Sequence, residues 1–149
     1  MNIRNIDEKD VDTIAKYEID ISIISFGEDA ITDLKFHKNK LLKAMSTEKD
    51  GMYVMFNENE IIGWLWMSKK TNYLSGESYI SFKSFYIEEK FRGDSYTDVL
   101  LQKGIEFAYN NKAKYIVGKV NIENISMRLI YKKFGFKPTH LTMELKLGV

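Results

Sequence analysis

At 149 residues and a formal net charge of +1, the chain suits one domain that buries about two thirds of its unfolded surface, and it lacks the basic excess behind nonspecific nucleic-acid binding. It has no cysteine, which excludes disulfides, thiolate nucleophiles and cysteine-bearing zinc sites and accords with a reducing cytoplasm. The start MNIRNIDEKD carries no apolar h-region and no run approaches about eighteen apolar residues, so neither secretion nor a membrane span is expected.

With a single proline, Pro138, and no linker or repeat, one domain over residues 1–149 is expected. Met1 to Ile6 reads as a strand. Asp7 then caps a helix whose apolar residues Val11, Ile14, Ala15 and Ile19 follow helical spacing. A second helix is expected over Ala30 to Met45. Tyr53 to Phe56 and Ile61 to Met67 flank the polar stretch Asn57 to Glu60, a hairpin signal. Trp64 and Trp66 share one strand face and, with Tyr73, read as core packing ahead of an acceptor groove. Ser78 to Ile87, rich in aromatic and β-branched residues, is a long strand. The FRGDSYT turn leads into a helix striped by Leu101, Gly104, Ile105 and Ala108, followed by a strand over Tyr115 to Asn121.

The next segment, NISMRLIYKKFGF from Asn124 to Phe136, is the most informative. Met127, Ile130, Tyr131 and Phe134 fall at i, i+3, i+4 and i+7, so a short helix presents one apolar face with Tyr131 on or beside it. Asn124 caps its start, and Gly135 supplies the left-handed residue that ends it. A final strand is expected over Leu141 to Leu147. The strand-helix-strand unit calls for a parallel pair while the hairpin is antiparallel, so the fold class is α/β with a mixed sheet.

That segment, with the strand Tyr115 to Asn121 before it and FRGDSYTDVLL earlier, resembles the GCN5-related N-acetyltransferase superfamily over nearly the whole chain, most strongly from Tyr79 to Phe136. The resemblance implies a central sheet of about six to seven strands, one of them splayed, flanked by about four helices. It implies acetyl transfer from acetyl-CoA to an amine, with no metal, by direct attack on the thioester. Phe85, Tyr86 and Ile87 match the splayed strand whose backbone holds the pantetheine arm and polarises the thioester carbonyl, a task that rigid backbone donors suit. Arg92, Gly93, Asp94, Ser95, Tyr96 and Thr97 match the pyrophosphate turn, where amides at a helix start bind anions. Asn124 matches the asparagine that contacts the arm. Tyr131 matches the tyrosine that protonates the departing thiolate, and a phenol of ordinary pKa near 10 holds that proton at neutral pH.

Two departures stand out. The superfamily turn reads Arg or Gln, two residues, Gly, one residue, then Gly or Ala; here Ser95 and Thr97 fill the small positions and Asp94 adds negative charge. Tyr79 to Ile87 also contains no Asp, Glu or His, so no general base stands on that strand; Glu77 and Glu123 are candidates by position. His37 and His140 lack ligand spacing. Through Phe82 there are ten Lys and Arg against fourteen Asp and Glu, and from Lys83 twelve against seven, a cationic half that suits coenzyme A. The expected acceptor is a small-molecule or peptide amine, the expected partners include neither nucleic acid nor membrane, and the expected state is a monomer or homodimer in the cytoplasm. A catalytically silent acyl-CoA-binding or regulatory domain is the alternative.

Overall fold

The structure, a computed structural model, describes residues 2–93 and 95–148. They fall into two compact units, Met1–Lys119 and Val120–Val149. The first unit carries β1 (Asn2–Asn5), α1 (Val11–Phe26), α2 (Leu34–Glu48), β2 (Met52–Asn57), β3 (Glu60–Thr71), β4 (Ser78–Ile87), α3 (Ser95–Asn110) and β5 (Ile116–Gly118); the second carries α4 (Ile125–Lys133).

The five strands lie in the order β1-β2-β3-β4-β5, with every neighbouring pair antiparallel except β4 and β5. That parallel pair needs a crossover, and α3 supplies it. Alternation along β3 sets the two faces of the sheet. Trp64 and Trp66 pack with Val54, Met52 and the buried residues of α1 and α2, among them Ile14, Ala15 and Leu41. Gly63, Leu65 and Met67 point the other way, toward α3. Gly104 lets α3 approach there, because a Cβ at that position would collide with the Met67 methyl. The tryptophans therefore belong to the core.

Local chemistry explains the element boundaries. Asp7 caps a short 3-10 turn, Glu8–Asp10, rather than α1 itself, and the buried Asp10 carboxylate closes the capping box while accepting from Arg4 at 2.7 and 3.0 Å. The second helix starts later than Ala30, because the Asp33 side chain accepts from the Lys35 amide at 3.0 Å and fixes the N-terminus of α2 there. The strand expected over Tyr115 to Asn121 contracts to Ile116–Gly118.

The expected six to seven strands are five among the described residues, and the final one, Leu141 to Leu147, is not formed. Its alternating Leu141, Met143, Leu145 and Leu147 are 73 to 85% exposed.

Candidate active site

The ladder between β4 and β5 joins Ile80 to Ile116, Ser81 to Val117 and Phe82 to Gly118, and among the described residues it extends no further. At the next residue β4 bulges against β3: Trp66 lies opposite Ser84 and Met67 opposite Phe82, which leaves Lys83 as the extra residue. A bulge bends its strand and sharpens the local twist. The two events coincide, so β4 parts from β5 where it bends. Phe85, Tyr86 and Ile87 continue along β3 alone. This is the splayed central strand that the resemblance implies, and among the described residues its outer edge from Lys83 to Ile87 pairs with no strand.

Beyond Ile87 the chain makes a 3-10 turn over Glu89–Phe91 and reaches Arg92 and Gly93 before α3 begins at Ser95. Gly93 has φ +84°, a left-handed conformation that costs glycine nothing, and no atom lies within 4 Å of where its Cβ would be. The Gly93 backbone is thus open on that side. Arg92 is turned back onto the strand: its Nε donates to the Ile87 carbonyl at 2.6 Å and its guanidinium stands 5.1 Å over the Tyr86 ring. Tyr96 packs edge-on against Phe91 at 5.3 Å. Ser95 is exposed and Thr97 half-buried, and Asp94 lies outside the described residues.

Tyr86 also meets α1. Its ring stacks on Tyr17 at 4.4 Å and its hydroxyl donates to Asp20 at 2.8 Å, while the Tyr17 hydroxyl lies 2.8 Å from a Glu88 carboxylate oxygen and 3.0 Å from the Ile61 carbonyl. Burial first, and then the Asp20 hydrogen bond, push the Tyr86 phenol up to about 12; burial and Glu88 push Tyr17 up as well.

Two carboxylates that the sequence reading passed over lie on the same face. Glu18, 4% exposed, accepts from Ser84 Oγ at 2.7 Å and from Trp64 Nε1 at 3.0 Å on one oxygen, and pairs with Lys40 at 2.8 Å on the other. Glu48 accepts from Trp66 Nε1 at 3.2 Å and Lys83 Nζ at 3.1 Å. Burial would raise the Glu48 carboxyl, but its bonds to Ser68, Lys83 and Trp66 outweigh burial and hold it low. Glu18 was legible in principle: with Val11, Ile14 and Ala15 it completes the i, i+3, i+4, i+7 series that puts it, and not Ile19, on the buried stripe.

Glu77 is elsewhere. It precedes β4, about 26 Å along the strand from Phe85 at about 3.3 Å per residue, and its nearest cation is Lys114 at 4.0 Å. His37 is buried, its Nε2 2.7 Å from the Ile31 carbonyl and its Nδ1 3.2 Å from Lys40, so it helps hold the start of α2. No group of His, Asp or Glu among the described residues is arranged to hold a metal ion, and no helix among them is long and apolar enough to cross a membrane.

In the second unit the Asn124 side chain accepts from the Met127 amide at 3.1 Å and caps α4, and Glu123 is exposed. Gly135 has φ +85°, and Phe136 returns its amide to the Tyr131 carbonyl at 2.9 Å. The Tyr131 ring packs 4.9 Å from that of Phe136, and burial pushes its phenol up to about 12.

The raised phenols fix the sign of an alkaline response. Between about pH 10 and 12 an unfolded tyrosine loses its proton while Tyr86 and Tyr131 keep theirs, so the native state binds more protons and stability falls as pH rises. The urea midpoint should be lower at pH 11 than at pH 9. A midpoint that does not move would show these hydroxyls to be solvated.

Comparison with known proteins agrees with this architecture. A curated relative, the uncharacterized N-acetyltransferase YycN of Bacillus subtilis, is 29% identical over 91 residues, covering 61% of this chain and 57% of that protein's length. The fold is shared with the aminoglycoside N-acetyltransferase AAC(6')-Iy in complex with CoA, at a TM-score of 0.77 and 12% identity over 99% of this chain and 95% of that one. It is shared also with a GNAT family acetyltransferase of Staphylococcus aureus, at 0.70 and 21% over 98% of each chain. The family model for acetyltransferases of the GNAT type matches residues 17–136, from the α1 tyrosine that stacks on the splayed strand to the phenylalanine that closes α4, and the chain belongs to that family.

Proposed function

We propose that the chain transfers an acetyl group from acetyl-CoA directly to a primary amine, with residues 1–149 acting as one acetyltransferase domain in the cytoplasm. The observation that carries this reading is the parting of β4 from β5 at Phe82, which opens the strand edge from Lys83 to Ile87 just before the Arg92–Gly93 turn. Backbone of Phe85, Tyr86 and Ile87 holds the pantetheine arm and the thioester carbonyl. Arg92, Gly93, Asp94, Ser95, Tyr96 and Thr97 surround the pyrophosphate at the start of α3, where amides and helix dipole favour an anion. Asn124 contacts the arm. The amine attacks the thioester carbon, the C–S bond breaks, and Tyr131 gives its phenolic proton to the thiolate. The surplus proton of the amine leaves through water, and water returns a proton to the Tyr131 tyrosinate.

A second reading, a silent acyl-CoA-binding or regulatory domain, is favoured by one feature. Arg92 is already engaged with Ile87 and Tyr86 in a turn whose small positions are serine and threonine.

Acetyl-CoA at a hundred times its Kd should stabilise the protein by about 2.7 kcal/mol, because only the native state binds it. For a chain of this size that is a rise in Tm of about 5 to 10 °C. No shift at millimolar acetyl-CoA removes both readings. A shift without thiol release against an amine panel leaves the silent domain.

A further inference from the structure

The loop that joins β3 to β4 sits at the opposite end of β4 from the splayed segment. Tyr73, expected from the sequence to pack in the core, is 98% exposed there, and Leu74 beside it is 100% exposed. The loop is nonetheless held. The Asn72 side-chain oxygen accepts from the Leu74 and Ser75 amides at 2.9 and 3.3 Å, and its Nδ2 donates to the Tyr115 hydroxyl at 3.1 Å. Its backbone amide donates to Glu77 at 2.8 Å, and its carbonyl accepts from Gly76 at 2.7 Å. Two large side chains are thereby kept out in water on a fastened tip.

The charge around that tip is one-sided. Residues 69–79 and 111–115 hold four lysines, Lys69, Lys70, Lys112 and Lys114, against one acid, Glu77. Lys69 and Lys70 stand opposite Ile80 and Tyr79 on β4, and the Lys114 amide donates to the Ser78 carbonyl at 2.8 Å, so these lysines gather at the base of the loop. All four are exposed. Among the described residues Lys114 reaches Glu77 at 4.0 Å and the other three make no ion pair. Further back the charges cancel, with Lys49 next to Asp50 and Lys103 3.9 Å from Glu106. Two more tyrosines lie among the lysines: Tyr109, 78% exposed, whose carbonyl accepts from the Lys112 amide, and Tyr115, stacked on Tyr79 at 5.4 Å.

We infer that this tip docks on an anionic lipid surface, with Tyr73 and Leu74 entering the bilayer interface and the four lysines resting on its headgroups. The absence of a spanning run, which led to the expectation of no membrane partner, does not bear on a surface contact. Shape and charge select the occupant. Two side chains on a protruding tip cover far less than the roughly 800 Å² per partner of a stable protein interface, and single-stranded nucleic acid is bound in grooves that track its backbone. A bilayer interface instead accepts a small apolar wedge, tyrosines at headgroup depth and lysines whose stems run along apolar surface. Anionic headgroups attract the lysines over a short, salt-screened range. The inference is independent of the transferase reading.

Co-sedimentation of the full chain with vesicles tests it. Binding should be at least about tenfold tighter to an equal mixture of phosphatidylcholine and phosphatidylserine than to phosphatidylcholine alone, and molar salt should remove the difference. Tyr73→Ser with Leu74→Ser should weaken binding to the mixed vesicles at least about tenfold, as should Lys69→Glu with Lys70→Glu, each leaving the Tm unchanged because these side chains are exposed. Leu74→Glu alone replaces the first pair should that pair lower the Tm. Leu74→Trp should add emission that shifts to the blue on mixed vesicles and is quenched by brominated acyl chains. A parent that does not bind the mixed vesicles overturns the inference, as does binding that survives either kind of substitution or an added tryptophan that brominated chains do not quench. Binding of a single-stranded oligonucleotide through these residues, with the vesicles left unbound, overturns it by giving the tip to nucleic acid.

Discussion

Tyr131→Phe is expected to lower turnover by about 10- to 1000-fold with little change in acetyl-CoA binding, if its hydroxyl is the proton donor to the thiolate. The phenol is held at about 12 by burial, so it is fully protonated at neutral pH and the proton is available when sulfur departs. Phenylalanine keeps the ring that packs on Phe136 at 4.9 Å, and the backbone bond from the Phe136 amide is untouched. The loss should therefore appear in kcat, with the Tm rise on adding acetyl-CoA preserved. A mutant turning over at the parent rate assigns the tyrosine to packing and removes it from the mechanism.

Glu18→Ala should be the costliest single change on the α1 face, at about 3 kcal/mol, in the range measured when one member of a buried ion pair is removed. The reason lies in what stays behind. Trp64 Nε1 and Ser84 Oγ lose their shared acceptor where neither can reach water, and Lys40 loses its counter-charge. Glu18→Gln should cost less, since the amide oxygen still serves Ser84 and Trp64 and the half-exposed Lys40 can turn to solvent. Urea melts should show a lower midpoint at constant slope for alanine, equivalent to about 10 °C in Tm. An alanine variant as stable as the parent would mean that water fills the site.

Segments whose local pattern and tertiary role agree were legible in the sequence. β4 was read over Ser78 to Ile87 and runs over those residues, because a segment rich in aromatic and β-branched side chains suits a pleated, partly buried strand. The cap at Asn124 and the stop at Gly135 were read from residue type, since each position demands a particular backbone chemistry. Glu18 escaped because a charged residue is assigned to the surface unless its partners are known, and those partners sit 22, 46 and 66 positions away at Lys40, Trp64 and Ser84. The break between β4 and β5 was legible only through resemblance. It depends on where a ladder ends, and no residue in SFKSFYI encodes that alone. The strand at Leu141 to Leu147 was misread because alternation describes a segment able to pair, not one that has.

The tryptophans have an optical consequence. The chain has two, and both indoles donate to carboxylates on the α1 and α2 side of β3. Trp66 also lies under the Lys83 ammonium, 4.5 Å from it, at the residue where β4 bulges. Tryptophan emission from this protein thus comes wholly from the strand beside the bulge, and a charge placed this near an indole shifts its colour and yield. Any ligand that moves Lys83 writes its arrival into the intrinsic spectrum, with no label attached.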